Sequence, residues 1–190
     1  HFLLGKPLEE NAQSSVLAGA ALRRPFAGRW SLGAGLDFEA SSSMLRETQD
    51  GPTTDGSPAA NAIRPAGKHY DYRVAGRTAG TYATLDFAPT PRWSAGAALR
   101  LERTRYACDN RMIAGNTDEN GVPCGAGGCL YHRPADRTDE FDNIAPKLAL
   151  MFAPRAQQRV YANWSRGFRP PEQTELYRLQ RQQGNADLDS

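Results

Sequence analysis

The sequence predicts an all-β protein: an antiparallel up-and-down sheet of about six strands that forms a portion of a transmembrane β-barrel. Three observations carry this expectation. Apolar and polar residues alternate over several long stretches, which is the period of a strand and not of a helix. The connections between these stretches are short and long in strict alternation, as in a barrel with tight periplasmic turns at one rim and long extracellular loops at the other. The faces opposite the apolar ones carry Asp37, Glu39, Arg100, Glu102 and Lys147, which suit a wet interior better than a packed core.

The composition agrees. The chain has 190 residues, enough for one domain, and a net charge of +2 that makes no case for nucleic acid or anionic lipid as a partner. No apolar run approaches the ~18 residues of a spanning helix. Barrel strands escape that test, because only every second residue is apolar. The chain starts at His1 without a charged-then-apolar leader and stops at Ser190 inside a loop signal. Either a signal peptide has been removed or the chain is a piece of something larger, and the stop inside a loop signal favours the piece.

The elements are taken in chain order. Residues His1–Asn11 are ambiguous: Phe2-Leu3-Leu4 ends a strand or belongs to a loop, and Pro7–Asn11 reads as loop. A first strand covers Ser14–Arg24, with Val16, Ala18, Ala20 and Leu22 on one face, and Pro25–Gly28 turns the chain. A second strand, Arg29 to about Ser41, puts Trp30, Leu32, Ala34, Leu36, Phe38 and Ala40 on one side. A polar stretch, about Leu45–Arg77, is read as a long loop rich in turn formers such as Asp50-Gly51 and Ser57-Pro58. The third strand runs from about Ala79 to Phe87, and Ala88–Pro91 is a short turn. The fourth, Arg92–Tyr106, lines up Trp93, Ala95, Ala97, Leu99 and Leu101. A second long loop is expected over about Ala107–Asp142, its acidic run Asp136, Asp139, Glu140 and Asp142 forming a solvated rim. The fifth strand is Ile144–Ala153, Pro154–Gln158 turns, and the sixth is Arg159–Gly167. Trp30 and Trp93 each occupy the first outward position after a short turn, where an aromatic girdle belongs. Pattern alone leaves a soluble β-sandwich or lectin-like sheet as the alternative.

The last strand and the segment after it narrow the choice. Tyr161, Ser165, Gly167, Phe168, Arg169, Pro171, Glu175, Leu176 and Tyr177, with Asn185 and Leu188 beyond, closely resemble the strand-to-loop segment of TonB-dependent outer-membrane receptors. Asn143, Pro146, Lys147 and Leu148 match the strand that precedes it in that family. The resemblance implies a Gram-negative outer-membrane barrel of about 22 strands around a plug, of which this chain supplies an internal portion. It implies outer-membrane lipid around the wall, energy delivered by TonB through the plug, and import of a scarce ligand such as a ferric siderophore. A passive porin-like barrel and a soluble carbohydrate-binding β-domain are the competing readings. Gly167–Pro171 is expected to end the strand and aim the loop outward, and no ligand role is assigned to Arg169.

In that setting the aromatic and basic residues of the loops become ligand candidates. These are His69, Tyr70 and Tyr72 in the first loop and Arg111, Tyr131, His132 and Arg133 in the second. Aromatic faces stack on catechol-like rings, and arginine neutralises an anionic chelate. Cys108, Cys124 and Cys129 share the second loop, and a structural disulfide is expected. Cys124 with Cys129 closes a small loop, while Cys108 with either would staple the loop's halves. A zinc site lacks paired ligands. Asn116–Gly121 is only faintly like a calcium loop, because its closing position is Gly127, and a turn is the better reading. No cofactor or metal is expected. No Ser–His–Asp set, matched carboxylate pair or phosphate-cradling loop suggests an enzyme.

Overall fold

The computed structural model describes residues 4–181 and 183. Its elements are β1 (Leu8–Phe26), β2 (Trp30–Gln49), α1 (Pro58–Ala62), β3 (Gly67–Thr90), β4 (Trp93–Asn110), β5 (Tyr131–His132), β6 (Arg137–Arg155), β7 (Gln158–Ser165), α2 (Gln173–Tyr177) and β8 (Leu179–Gln180). One six-stranded sheet runs β1-β2-β3-β4-β6-β7, and each neighbouring pair is antiparallel. This is up-and-down topology, open at β1 and β7 among the described residues. β5 and β8 form a second, small sheet. No described helix is long and apolar enough to cross a membrane.

The short-turn rim is built by local chemistry. Ala27 and Gly28 both take positive φ (48° and 64°) to close β1 onto β2, a conformation glycine adopts freely. Pro91-Arg92 links Thr90 to its partner Trp93, and Ala156-Gln157 links Arg155 to Gln158. Directly above these turns, Trp30 stacks on Phe87 at 4.1 Å and Trp93 on Phe152 at 4.3 Å. The rings form an outward girdle at one height across β2–β6.

Above the girdle the outward face is apolar, and the inward face pairs its own charges. Arg100 bonds Asp37 at 2.7 Å and Glu102 at 2.6 Å, and Arg23 bonds Asp86 at 2.7 Å. On β4 the outward band runs from Trp93 to Leu101, about 27 Å along the strand at ~3.4 Å per residue. At the usual tilt of about 40° that is roughly 21 Å along the membrane normal, close to the apolar band of known barrels.

The strands run well past this band, which corrects the expected boundaries. β2 continues to Gln49, β3 begins at Gly67, β4 reaches Asn110 and β6 begins at Arg137. The first long loop shrinks to the residues between Gln49 and Gly67, and the second to those between Asn110 and Arg137. β1 starts at Leu8, so Leu8–Asn11 is strand, whereas β7 ends at Ser165, before Gly167. Phe2, Leu3, Asn185 and Leu188 lie outside the described residues.

The reason is an inversion of phase. Beyond Leu101 and Ile144 the outward positions become Arg103, Arg105, Asp142 and Glu140, and apolar side chains appear on the inward face among buried polar ones such as Thr104 and Asn143. Leu45, Tyr70, Tyr72, Val74, Cys108 and Phe141 all point inward there and are buried. Outside the bilayer, water wets the outer surface, so the apolar side chains turn into the barrel instead. The acidic run divides accordingly. Asp142 and Glu140 pair outward with Arg103 and Arg105, while Asp139 is buried inward and is no part of a solvated rim.

Candidate functional site

The inward core of this outer extension is closed by the chain beyond β7. After Gly167 and Pro170-Pro171 the chain does not leave for the outside, as expected, but folds back under the sheet. Arg169 bonds Glu172 at 2.8 Å and Glu175 at 3.0 Å. Glu175 also accepts from the Glu172 N–H at 2.7 Å, which caps the start of α2. Leu176 and Tyr177 thereby enter the core, and Leu179 joins them from β8. We refer to Gly167–Arg181 as the strap.

Polar contacts tie the strap to four strands. Tyr177 Oη donates to Asp139 Oδ2 of β6 at 2.8 Å. Tyr70 Oη of β3 donates to the Leu179 carbonyl, and Ser43 of β2 donates to Gln173. Arg178 bonds Glu9 of β1 at 2.9 Å and also Glu47 of β2. Glu47 in turn meets His69 Nδ1 at 2.9 Å. Burial alone would raise the Glu47 carboxyl, but His69 and Arg178 outweigh it and hold the group below the usual carboxylate range. Burial pushes the phenols of Tyr70, Tyr72 and Tyr177 far above the ordinary tyrosine value, and Tyr131 up to about 12. All four are neutral donors at physiological pH.

The ligand candidates fall into two groups. His69, Tyr70 and Tyr72 belong to β3 and not to a loop, and they are buried. His69 stacks on Tyr131 with centroids 3.7 Å apart, and Tyr70 meets the same ring edge-on. Arg133 is also buried and donates to the carbonyls of Ile113, His69, Thr117 and Asp118 and to the Thr117 hydroxyl. It organises the second loop from within. Arg111 is exposed beside Asp109, and His132 is half-buried against Asn116. Tyr131 lines a cleft of about 590 Å³ together with Arg64, Tyr70, Arg178 and Gln180. A second cleft of about 400 Å³, at the start of α2, is lined by Glu9, Gln13, Ser43 and Gln173.

Cys124 and Cys129 form a disulfide with Cα atoms 4.6 Å apart, and Cys108 is a free, buried thiol on β4. Burial, with Asp136, Asp139 and Asp109 nearby, pushes that thiol up to about 12. Asp118 Oδ1 accepts from the N–H groups of Asn120 and Val122, so the calcium-like stretch is an Asx-type turn. Among the described residues no cluster of His, Cys, Asp and Glu is arranged to hold a metal.

The sequence reasoning missed Glu9, Glu47, Arg64, Asp139 and Arg178. A signal was present for Glu47: Ser43, Leu45, Glu47 and Gln49 continue the inward row of β2 without a break.

An antiparallel sheet with an apolar outward band, an aromatic girdle, paired inward charges and one rim of tight turns is the wall of an outer-membrane barrel. The chain belongs to the TonB-dependent receptors: the family model described as "TonB dependent receptor-like, beta-barrel" matches residues 8–190. No curated protein and no solved structure was found to match. The family consists of outer-membrane receptors and transporters energised through TonB.

Proposed function

We propose that this chain is a stretch of wall in an active importer of a scarce ligand such as a ferric siderophore. In this reading the ligand is captured at the outer rim and passes along the barrel on energy that TonB delivers through a plug domain. The observation that carries it is the inward face at bilayer height. The carboxylates of Asp37, Glu102 and Asp86 pair there with Arg100 and Arg23, so the passage is hydrophilic and carries no excess positive charge that would trap an anionic chelate. At the rim, the exposed Arg111 and the half-buried His132 supply cation and ring for a ferric catecholate. His69, Tyr70 and Arg133 act behind them, holding Tyr131 and the loop in place, while Tyr72 packs on Tyr177 of the strap.

The test is ferric tris-catecholate binding and uptake by the intact receptor. Arg111→Ala with His132→Ala is expected to weaken binding at least tenfold, and uptake is expected to stop without TonB. Unchanged affinity in the double variant would remove these residues from the site. Uptake that persists without TonB would favour a passive barrel.

A further inference from the structure

We propose that the cleft between the first long loop, the second long loop and the strap binds the carboxylate of an aliphatic ligand, held by Arg64 and the Tyr131 hydroxyl. Three segments build this cleft: Arg64 follows α1, Leu130-Tyr131 enters β5, and Arg178 and Gln180 belong to the strap. Backbone bonds lace the segments together. The Leu130 N–H donates to the Ile63 carbonyl at 2.8 Å, and the Arg181 N–H to the Leu130 carbonyl at 2.7 Å. Thr53 Oγ1 donates to the Arg64 carbonyl at 3.2 Å, and His69 Nε2 to the Pro65 carbonyl at 2.8 Å. The Arg64 side chain therefore starts from a fixed backbone.

Two unmet demands converge there. Among the described residues Arg64 has no carboxylate partner, and its guanidinium donates to the Ala60 carbonyl. Arg178 is already shared between Glu47 and Glu9. Tyr131 is 7% exposed, and its hydroxyl has no hydrogen-bond partner among the described residues. That oxygen is not sealed in, because the enclosed side-chain atoms without a partner among those residues are Gln49 Oε1 and Asn143 Nδ2. The hydroxyl therefore opens onto the cleft that Tyr131 lines. Burial pushes this phenol up to about 12 and Glu47 adds to the rise, while Arg64 and Arg178 oppose it, so both guanidinium groups stand near the hydroxyl. A neutral donor and one surplus cation face the same space.

The lining selects the occupant. A guanidinium and a neutral phenol both donate, and an ionised carboxylate only accepts, with two oxygens to share between them. One surplus cation matches a monoanion, whereas a phosphate dianion would bring a second charge with nothing to pair it. A cationic ligand finds no free carboxylate, since Glu47 is held by His69 and Arg178. Aromatic ligands find no ring to stack on, because Tyr70 and Tyr131 are buried against each other and His69. Leu4, Pro7 and Leu130 supply aliphatic wall instead. This site goes beyond the import reading, which places the chelate on Arg111 and His132.

The test uses the intact receptor in detergent, with saturation-transfer NMR to read the binding of butyrate and of its neutral isostere butyramide. Butyrate is expected to bind at least tenfold more tightly than butyramide. Arg64→Gln and Tyr131→Phe are each expected to weaken butyrate roughly tenfold, the loss of one hydrogen bond to a charged group. Tyr131→Phe keeps the ring on His69 and removes a hydroxyl without a protein partner, so its unfolding midpoint is expected to match wild type, and it carries the test if Arg64→Gln does not fold. Ferric tris-catecholate binding is expected to be unchanged in Arg64→Gln, and butyrate binding unchanged in Arg111→Ala with His132→Ala, which separates this site from the import reading. Equal binding of butyrate and butyramide, or wild-type butyrate affinity in Tyr131→Phe, overturns the proposal. Displacement of butyrate by equimolar inorganic phosphate would assign the cleft to phosphate and also overturn it.

Discussion

Tyr177 donates its phenolic hydrogen to Asp139 Oδ2 at 2.8 Å in the buried core, across 38 residues of sequence. The bond fixes the strap to β6. Tyr177→Phe leaves the ring in place but removes one partner of a buried carboxylate, a loss of about 1–3 kcal/mol. Tyr177→Ala also empties the core and is expected to cost about 3–5 kcal/mol. Thermal unfolding of the intact receptor is expected to rank the two in that order. Equal midpoints for wild type and Tyr177→Ala would show that the strap is not docked.

Glu47 gives the strap a pH dependence. Its carboxyl lies below its ordinary value in the folded chain because His69 and Arg178 outweigh the effect of burial. A depressed carboxyl contributes stability that is complete above the unfolded pKa and is lost as pH falls through the folded one. Protease sensitivity of the strap is therefore expected to rise only on acidification below the usual carboxylate range. Glu47→Gln is expected to abolish that slope and to destabilise the strap at neutral pH, since it leaves Arg178 with Glu9 alone. A wild-type strap equally protected on both sides of the carboxylate range would contradict this.

Cys108 is expected to resist alkylation in the folded receptor at pH 8, because burial pushes its thiol up to about 12. Without reductant, folded protein should take up no label in this chain. Denatured protein should take up one, since Cys124 and Cys129 are joined. Rapid labelling of the folded form would mean that the core opens.

The outward band predicts an asymmetry between neighbouring residues. Ala97→Arg, at the middle of the lipid face of β4, is expected to cost about 2–4 kcal/mol of folding into vesicles. Ala98→Arg faces the wet interior and is expected to cost clearly less. Equal costs would place both faces in the same medium.

What the residues reveal about the fold differs by height. At bilayer height the outward row Trp93, Ala95, Ala97, Leu99 and Leu101 is legible because lipid admits only apolar side chains. Above that height the same strands read as loop. Leu45, Tyr70, Tyr72 and Phe141 keep the period of two but occupy the opposite face, and Arg73 and Arg103 take the face that had been apolar. A reading that tracks one apolar face loses the strand where the solvent changes.

The candidate site was legible mainly as composition. Sequence pointed to Tyr131, His132 and Arg133 as a cluster, but burial separates the half-buried imidazole of His132 from two enclosed neighbours, Tyr131 stacked on His69 in the core and Arg133 ringed by carbonyls.

By itself the sequence determined the strand period, the alternation of short and long connections, the girdle positions of Trp30 and Trp93, and the family motif around Gly167–Tyr177. Those are local properties, set by each residue's preference for lipid, water or a turn. Only the tertiary structure decided that Leu176 and Tyr177 turn inward, that Arg178 reaches Glu47, that Tyr70 holds Leu179 and that Arg77 faces Arg105. These pairings join segments far apart along the chain, and their partners are set by register and by which medium bathes each face.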